Sequence, residues 1–111
     1  MSLSISRMAA GVSLAFAISS TFAQNSQQST VIENTAALQV SQVQCGYKIN
    51  YEMLGLALSA ANLRTGDLLR GGKYWENVEL NQGRVRRLIA TETGRASFCR
   101  NVRRDLSAMF D

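Results

Sequence analysis

The residues on which catalysis most often depends are sparse in this chain. Among its 111 residues there is no histidine, and its two cysteines, Cys45 and Cys99, lie too far apart for a C-x-x-C pair. Histidine-based nucleophilic triads and His/Cys metal sites are therefore excluded. Glu76 and Glu79 lie three residues apart and could act as an acid–base pair or hold a hard cation, but solvated carboxylates are the favoured interpretation. The sequence predicts a protein that is not an enzyme, with no cofactor and no metal.

Arginine is concentrated in one part of the chain. The stretch from Gly83 to Arg104, GRVRRLIATETGRASFCRNVRR, contains seven arginines and one acidic residue. At about 100° per residue on a helix, Arg100 and Arg104 lie opposite the apolar positions, and Arg103 lies at their edge. Their charge must be screened by solvent, by an external anion, or by acids elsewhere in the fold, for which the candidates are Glu52, Asp67, Glu76 and Glu79.

Three interpretations of this basic face remain open. It can be a solvated surface without a specific contact, since surface charges contribute little to stability. It can bind another protein, because arginine is enriched at interfaces. It can also bind an anionic polymer or a membrane surface, such as an acidic polysaccharide or phospholipid head groups. Nucleic acid is the least favoured of these ligands, because Phe98 is the single aromatic residue of the basic stretch.

A second candidate contact is Tyr74-Trp75, which follows Gly71-Gly72-Lys73. Tryptophan is enriched at interaction hot spots, but core packing is the favoured interpretation of this aromatic pair. The glycine pair lacks the first glycine and the Ser or Thr of a phosphate-binding loop, so we interpret it as a turn. The candidate partner-binding residues are therefore Arg100, Arg103 and Arg104, together with Tyr74 and Trp75.

Residues 1–23 have the layout of a cleaved signal peptide. A basic residue precedes an apolar run from Met8 to Ile18, and a short polar segment ends at Ala23. Cleavage after Ala23 is favoured over a competing site at Ala15-Phe16-Ala17. The apolar run is too short to span a bilayer. We expect the cleaved chain to lack a transmembrane segment and to be periplasmic or secreted.

The remaining chain divides at Cys45. Residues 24–44 are dominated by Gln, Ser, Asn and Thr, which predicts a disordered polar leader, with a short strand over residues 38–43 as the alternative. Residues 45–111 are predicted to form one helical domain. In an oxidising compartment, Cys45 and Cys99 are expected to form one disulfide. The chain-entropy model gives such a bridge about 4 kcal/mol of stabilisation.

Two stretches between Cys45 and the last helix show helical periodicity. The first covers residues 49–64 and is ended by Gly66 as a C-terminal cap. Its predicted core face consists of Ile49, Met53, Leu56, Ala60 and Leu63, and it is widened by Leu54, Ala57 and Ala61. The second either runs unbroken from Tyr74 to about Glu92 or breaks near Gly83. Its predicted core face consists of Tyr74, Val78, Val85, Leu88 and Ile89.

The last helix follows Thr93-Gly94, which we interpret as its cap or turn. Its apolar stripe consists of Cys99, Val102, Leu106, Met109 and Phe110. Because the predicted elements after Cys45 are helices joined by short turns, the fold class is all-α. We predict a small three- or four-helix bundle stapled by the disulfide between Cys45 and Cys99.

The favoured function is that of an exported, non-enzymatic interaction protein of the bacterial periplasm. Its expected partner is another periplasmic or envelope protein, bound through the basic helix face. In size, helix content and a single disulfide between its first and last helices, the chain resembles the small acid-stress chaperones of enteric bacteria. The resemblance is architectural and involves no shared motif; it implies a periplasmic stress chaperone as the alternative. Binding to an anionic polymer or a membrane surface is the second alternative.

Overall fold

The computed structural model describes residues 25–111, and within them the fold is all-α. The four α-helices are α1 Ser26–Gln44, α2 Tyr51–Ala60, α3 Trp75–Leu88 and α4 Glu92–Asp105. Two short 3₁₀ helices, Thr65–Leu68 and Ser107–Met109, follow α2 and α4. The predicted helical bundle is confirmed in this part of the chain. The predicted signal peptide, residues 1–23, lies outside the described residues.

The segment predicted to be a disordered leader forms the longest of these helices. Residues 26–44 are α1, so the prediction of disorder is wrong, and so is the alternative of a strand over residues 38–43. Asn25 caps α1 with a reciprocal pair of hydrogen bonds. Its side chain accepts from the backbone N–H of Gln28, and the Gln28 side chain accepts from the backbone N–H of Asn25.

The helix α1 is buried on more than one side, and its sequence therefore shows no single apolar stripe. Ile32 and Ala36 belong to one core cluster with residues of α2 and α3, whereas Leu38 belongs to a second cluster with residues of α4. Thr35 and Ser41 are also buried, and each hydroxyl donates to a backbone carbonyl within α1 at 2.7 Å. Because these hydroxyls are paired, the cost of burying them is small.

The helix α2 is shorter than predicted, and it packs against the core mainly through the side on which Leu54, Ala57 and Ala61 widen the predicted face. It ends before Asn62, whose φ of 59° is left-handed, and not at Gly66. Leu58 is buried and Leu54 packs against the core, but Leu56 of the predicted face is 61 % exposed. Apolar residues occur all round this helix, so their spacing does not single out one buried face.

The helix α3 runs unbroken through Gly83, which answers the question left open by the sequence. Gly71, with φ 85°, belongs to the predicted turn before α3. Tyr74 and Val78 of the predicted core face are buried. Leu88 is not: it is 61 % exposed and is the last residue of α3, so the helix does not continue to Glu92.

The helix α4 begins one residue after its N-cap, Thr91, and not at Thr93-Gly94. The Thr91 hydroxyl accepts a hydrogen bond from the backbone N–H of Gly94 at 3.0 Å. A Cβ at Gly94 would collide with the carbonyl oxygen of Leu88. The close connection between α3 and α4 therefore requires glycine at this position.

The predicted apolar stripe of α4 faces the core. Val102 and Phe110 are buried. The other three members, Cys99, Leu106 and Met109, are half-buried. The stripe continues past the end of α4 because the chain makes a 3₁₀ turn there before Phe110.

The disulfide between Cys45 and Cys99 is formed, with 5.7 Å between the two Cα atoms. It joins the end of α1 to α4. An isolated antiparallel bridge pairs Ile49 with Phe110. Backbone hydrogen bonds of 2.7 and 3.1 Å link residues 48–50 to residues 109–111. Residues 45–50 are thus held to the α4 region by one covalent bond and by backbone pairing.

Candidate interaction surface on α4

The basic residues predicted to bind a partner lie on the exposed part of α4. Arg100, Arg103 and Arg104 are all exposed, whereas Val102 is 5 % exposed and packs in the core. The helix therefore turns its apolar stripe inward and these arginines toward solvent. We call Arg100, Arg103 and Arg104 the arginine ridge.

The positive charge of the arginine ridge is largely unpaired. Arg104 Nε donates to Asp105 Oδ1 at 2.9 Å, and this is the one ion pair among residues 25–111. The hydrogen bond from Arg104 holds the pKa of Asp105 below its ordinary value. Within the same residues, no carboxylate lies within 4 Å of the Arg100 or Arg103 guanidinium. The acids considered as internal partners, Glu52, Asp67, Glu76 and Glu79, therefore form no ion pair with the ridge.

Arg103 differs from its two neighbours because its guanidinium lies over aromatic rings. Its Cζ is 5.1 Å from the ring centroid of Tyr47 and 5.5 Å from that of Phe110. Both distances are within the range of cation–π attraction. The two rings meet edge to face, with their centroids 5.2 Å apart. We call Tyr47 and Phe110 the aromatic platform.

The aromatic platform is anchored beside the disulfide. Tyr47 follows Cys45 by two residues, and its hydroxyl donates a hydrogen bond to the carbonyl oxygen of Cys99 at 3.1 Å. Phe110 is fixed by its backbone bridge to Ile49. Because the fold holds both rings, they restrict the orientation of the Arg103 guanidinium.

Sequence reasoning missed the aromatic platform. It placed Arg103 at the edge of the apolar stripe and Phe110 in the core, and it gave Tyr47 no role. Tyr47 and Arg103 are far apart in sequence, so no local spacing relates them. The position of Tyr47 two residues from Cys45, whose partner lies on α4, is the one signal that could have indicated the contact.

The second predicted contact, Tyr74-Trp75, does not form an exposed aromatic pair. Tyr74 is 4 % exposed and belongs to the core, as the favoured interpretation of core packing predicts, so it presents no exposed ring to a partner. The reason is that Tyr74 directly precedes α3 and packs into the cluster formed with α1 and α2. Trp75 is half-buried against the same cluster.

The residues considered for acid–base or metal chemistry lie on the surface. Glu76 and Glu79 are both exposed on α3. No group of three or more His, Cys, Asp or Glu residues that could hold a metal ion occurs within residues 25–111. The described helices also include none that is long and apolar enough to cross a membrane.

A groove of about 410 Å³ between α1, α2 and the 3₁₀ helix Thr65–Leu68 is a second surface feature. Leu54 and Leu58 line it, and it has no charged lining residue. Tyr51 and Leu69, which also line it, are 62 % and 51 % exposed. This groove is suited to apolar groups, in contrast to the arginine ridge.

Comparison of the chain with protein-family models, with curated proteins and with solved structures found no match.

Proposed function

We propose that this protein is an exported, non-enzymatic interaction protein of the bacterial periplasm, which binds an acidic partner protein through the arginine ridge. One observation supports the proposal most. Arg100, Arg103 and Arg104 are exposed together on one helix, and Arg104 alone has a carboxylate partner within the described residues. An exposed group of like charges offers an electrostatic match to an acidic surface.

The stability of the fold does not account for this arrangement. Arg100 and Arg104 are four residues apart on α4, where like charges repel by a few tenths of a kcal/mol. Exposed charges contribute little to folding. They do accelerate and orient association with a surface of opposite sign, and this effect weakens as salt is added. The ridge therefore has no stabilising role within the fold, and its charge is available to an external partner.

Charge reversal with a matched control tests the proposal. Arg100, Arg103 and Arg104 are changed together to glutamate in one variant. In the control variant, the exposed residues Arg64, Arg70 and Lys73 are changed to glutamate, which alters the net charge by the same amount. Each protein is used to capture partners from envelope extract, and captured proteins are identified by mass spectrometry.

The proposal expects the wild type and the control variant to capture the same protein and the ridge variant to lose it. Equal recovery by all three proteins would remove the role given to the ridge. Equal loss from both variants would show that the total charge, and not this surface, determines binding.

A stress chaperone is the second candidate function, and the apolar groove favours it. Groups such as Tyr51 and Leu69, exposed beside an uncharged groove, are suited to hold apolar segments of unfolded clients. This function expects the protein to suppress aggregation of unrelated clients in acid. Replacing Leu69 with Ser should reduce that suppression, whereas the ridge variant should retain it. A protein without activity toward any client between pH 7 and pH 2 is not such a chaperone.

A further inference from the structure

We infer that Arg103 is the specificity-determining contact of the arginine ridge and that it binds a carboxylate side chain of the partner protein through two parallel hydrogen bonds. This inference rests on the proposed function and names the chemical group that the ridge recognises. The observation behind it is the aromatic platform, which distinguishes Arg103 from the other two arginines of the ridge.

The position of Arg103 over the two rings leaves the donors of its guanidinium free. The rings of Tyr47 and Phe110 attract the guanidinium charge and do not take up its N–H groups. The guanidinium hydrogen bonds in residues 25–111 are made by Arg84, Arg86 and Arg104. The Arg103 donors therefore remain available to an acceptor from outside.

Pre-orientation makes Arg103 the most favourable anchor of the three. Immobilising a long side chain in an interface costs conformational entropy. The rings of Tyr47 and Phe110 already restrict the side chain of Arg103. Arg104 is engaged with Asp105, and neither Arg100 nor Arg104 has an aromatic ring beneath its guanidinium within the described residues. Arg103 therefore loses the least freedom when it binds.

A carboxylate suits this site better than a phosphate polymer. Binding to a polyanion is a sum of many similar contacts, and a row of equally mobile charges would serve it. A single oriented fork instead matches two oxygens of one anionic group, which can be a carboxylate or a phosphate, and phosphatidylglycerol vesicles therefore serve as the comparison ligand. The adjacent Arg104 already shows the pairing: its Nε and one terminal nitrogen donate to the two oxygens of Asp105 at 2.9 and 3.4 Å.

Lysine substitutions test the inference because they keep the charge and remove the fork. Binding of poly-L-glutamate is measured by titration calorimetry at low salt for the wild type and for Arg103→Lys, Arg100→Lys and Arg104→Lys. We expect Arg103→Lys to weaken binding by about tenfold, because one charge-assisted hydrogen bond to the carboxylate is lost. Each of the other two variants should change affinity by less than about twofold. Melting temperatures of the four proteins show whether the fold is intact.

The platform is tested with two substitutions of Tyr47, a positioning residue. Tyr47→Leu removes the ring beneath Arg103 and should weaken polyglutamate binding as Arg103→Lys does. Tyr47→Phe keeps the ring and loses only the hydroxyl, so it should retain most of the affinity. Equal weakening by both would assign the effect to the hydrogen bond with Cys99, and not to stacking, and would overturn the role of the platform.

Three results overturn the inference itself. They are equal effects of the three lysine substitutions, no binding of polyglutamate or of phosphatidylglycerol vesicles by the wild type, and binding of those vesicles by a wild type that does not bind polyglutamate. None of these depends on the capture experiment. If the charge-reversed ridge loses its partner while Arg103→Lys binds polyglutamate normally, the proposed function stands and the role of Arg103 fails.

Discussion

Three arginines of equal formal charge occupy three different environments on α4. Arg103 lies over the rings of Tyr47 and Phe110, Arg104 is paired with Asp105, and Arg100 has no ion-pair partner among residues 25–111. The helical spacing predicts that all three are exposed, and this is what the structure shows. The spacing does not predict their differences, because these depend on residues brought close by the fold.

Asp105 forms an ion pair with Arg104 of the ridge, and removing the Asp105 charge should leave the Arg104 guanidinium free to bind an external carboxylate. Asp105→Asn is expected to increase the affinity for poly-L-glutamate, because Arg104 loses its partner. Because the pKa of Asp105 is lowered in the folded protein, the pair is present above the ordinary carboxyl pKa and is lost as pH falls through the lowered value. Glu92→Gln removes the same charge from an exposed acid of α4. If both variants bind equally well, total charge and not the pair controls affinity.

Two glycines in the same part of the chain should respond in opposite directions to substitution by alanine. Gly83 lies within α3 with open space where an alanine Cβ would stand, so Gly83→Ala should raise the free energy of unfolding by about 0.5–1 kcal/mol. Gly94→Ala should lower it, because the new Cβ meets the Leu88 carbonyl. Urea unfolding measures both changes. Destabilisation by Gly83→Ala would mean that α3 is broken there.

At the scale of elements, the buried face of a helix that packs on one side can be predicted from the sequence. The buried faces of a helix that packs on several sides cannot. The last helix has its core on one side and solvent on the other, so its apolar stripe could be identified from spacing. The helix α1 packs on several sides through Ile32, Ala36 and Leu38, with Thr35 and Ser41 buried between them. Small and hydroxyl-bearing residues suit such a position, and the same composition is typical of disordered segments.

The central position of α1 can be tested on the helix itself. Ile32 is fully buried, so Ile32→Ala should lower the free energy of unfolding by about 2–5 kcal/mol. Val43 lies on the same helix but is 79 % exposed, and Val43→Ala should change the free energy of unfolding by less than about 0.5 kcal/mol. Chemical unfolding followed by circular dichroism compares the two variants. If both substitutions leave the free energy of unfolding unchanged, residues 26–44 are a disordered leader and not a central helix.

At the scale of the whole molecule, the disulfide links stability to the interaction surface. It joins residues 54 positions apart and closes the loop that contains α2 and α3. The sequence is sufficient to predict the pairing, because there are two cysteines and one way to pair them. The aromatic platform beside the bridge could not be predicted, since it requires Tyr47 to meet Arg103 and Phe110, which lie far along the chain from it.

Replacing Cys45 and Cys99 by alanine should lower the free energy of unfolding by about 4 kcal/mol, because the unfolded chain regains the entropy that the closed loop removes. Urea unfolding of this variant should match that of the wild type in reductant. A variant as stable as the oxidised wild type would show that packing alone holds α1 and α4 together.

Site-specific photo-crosslinking in intact cells tests the central claim most directly, because it records which surface touches a partner. In one variant, a photoreactive amino acid replaces Ala96, which is exposed on α4 one turn before Arg100. In a second variant, it replaces Tyr51, which is exposed at the apolar groove. The interaction surface on α4 predicts a covalent adduct with one acidic protein from position 96 and none from position 51. An adduct from position 51 alone would contradict this role for α4 and place the partner at the groove.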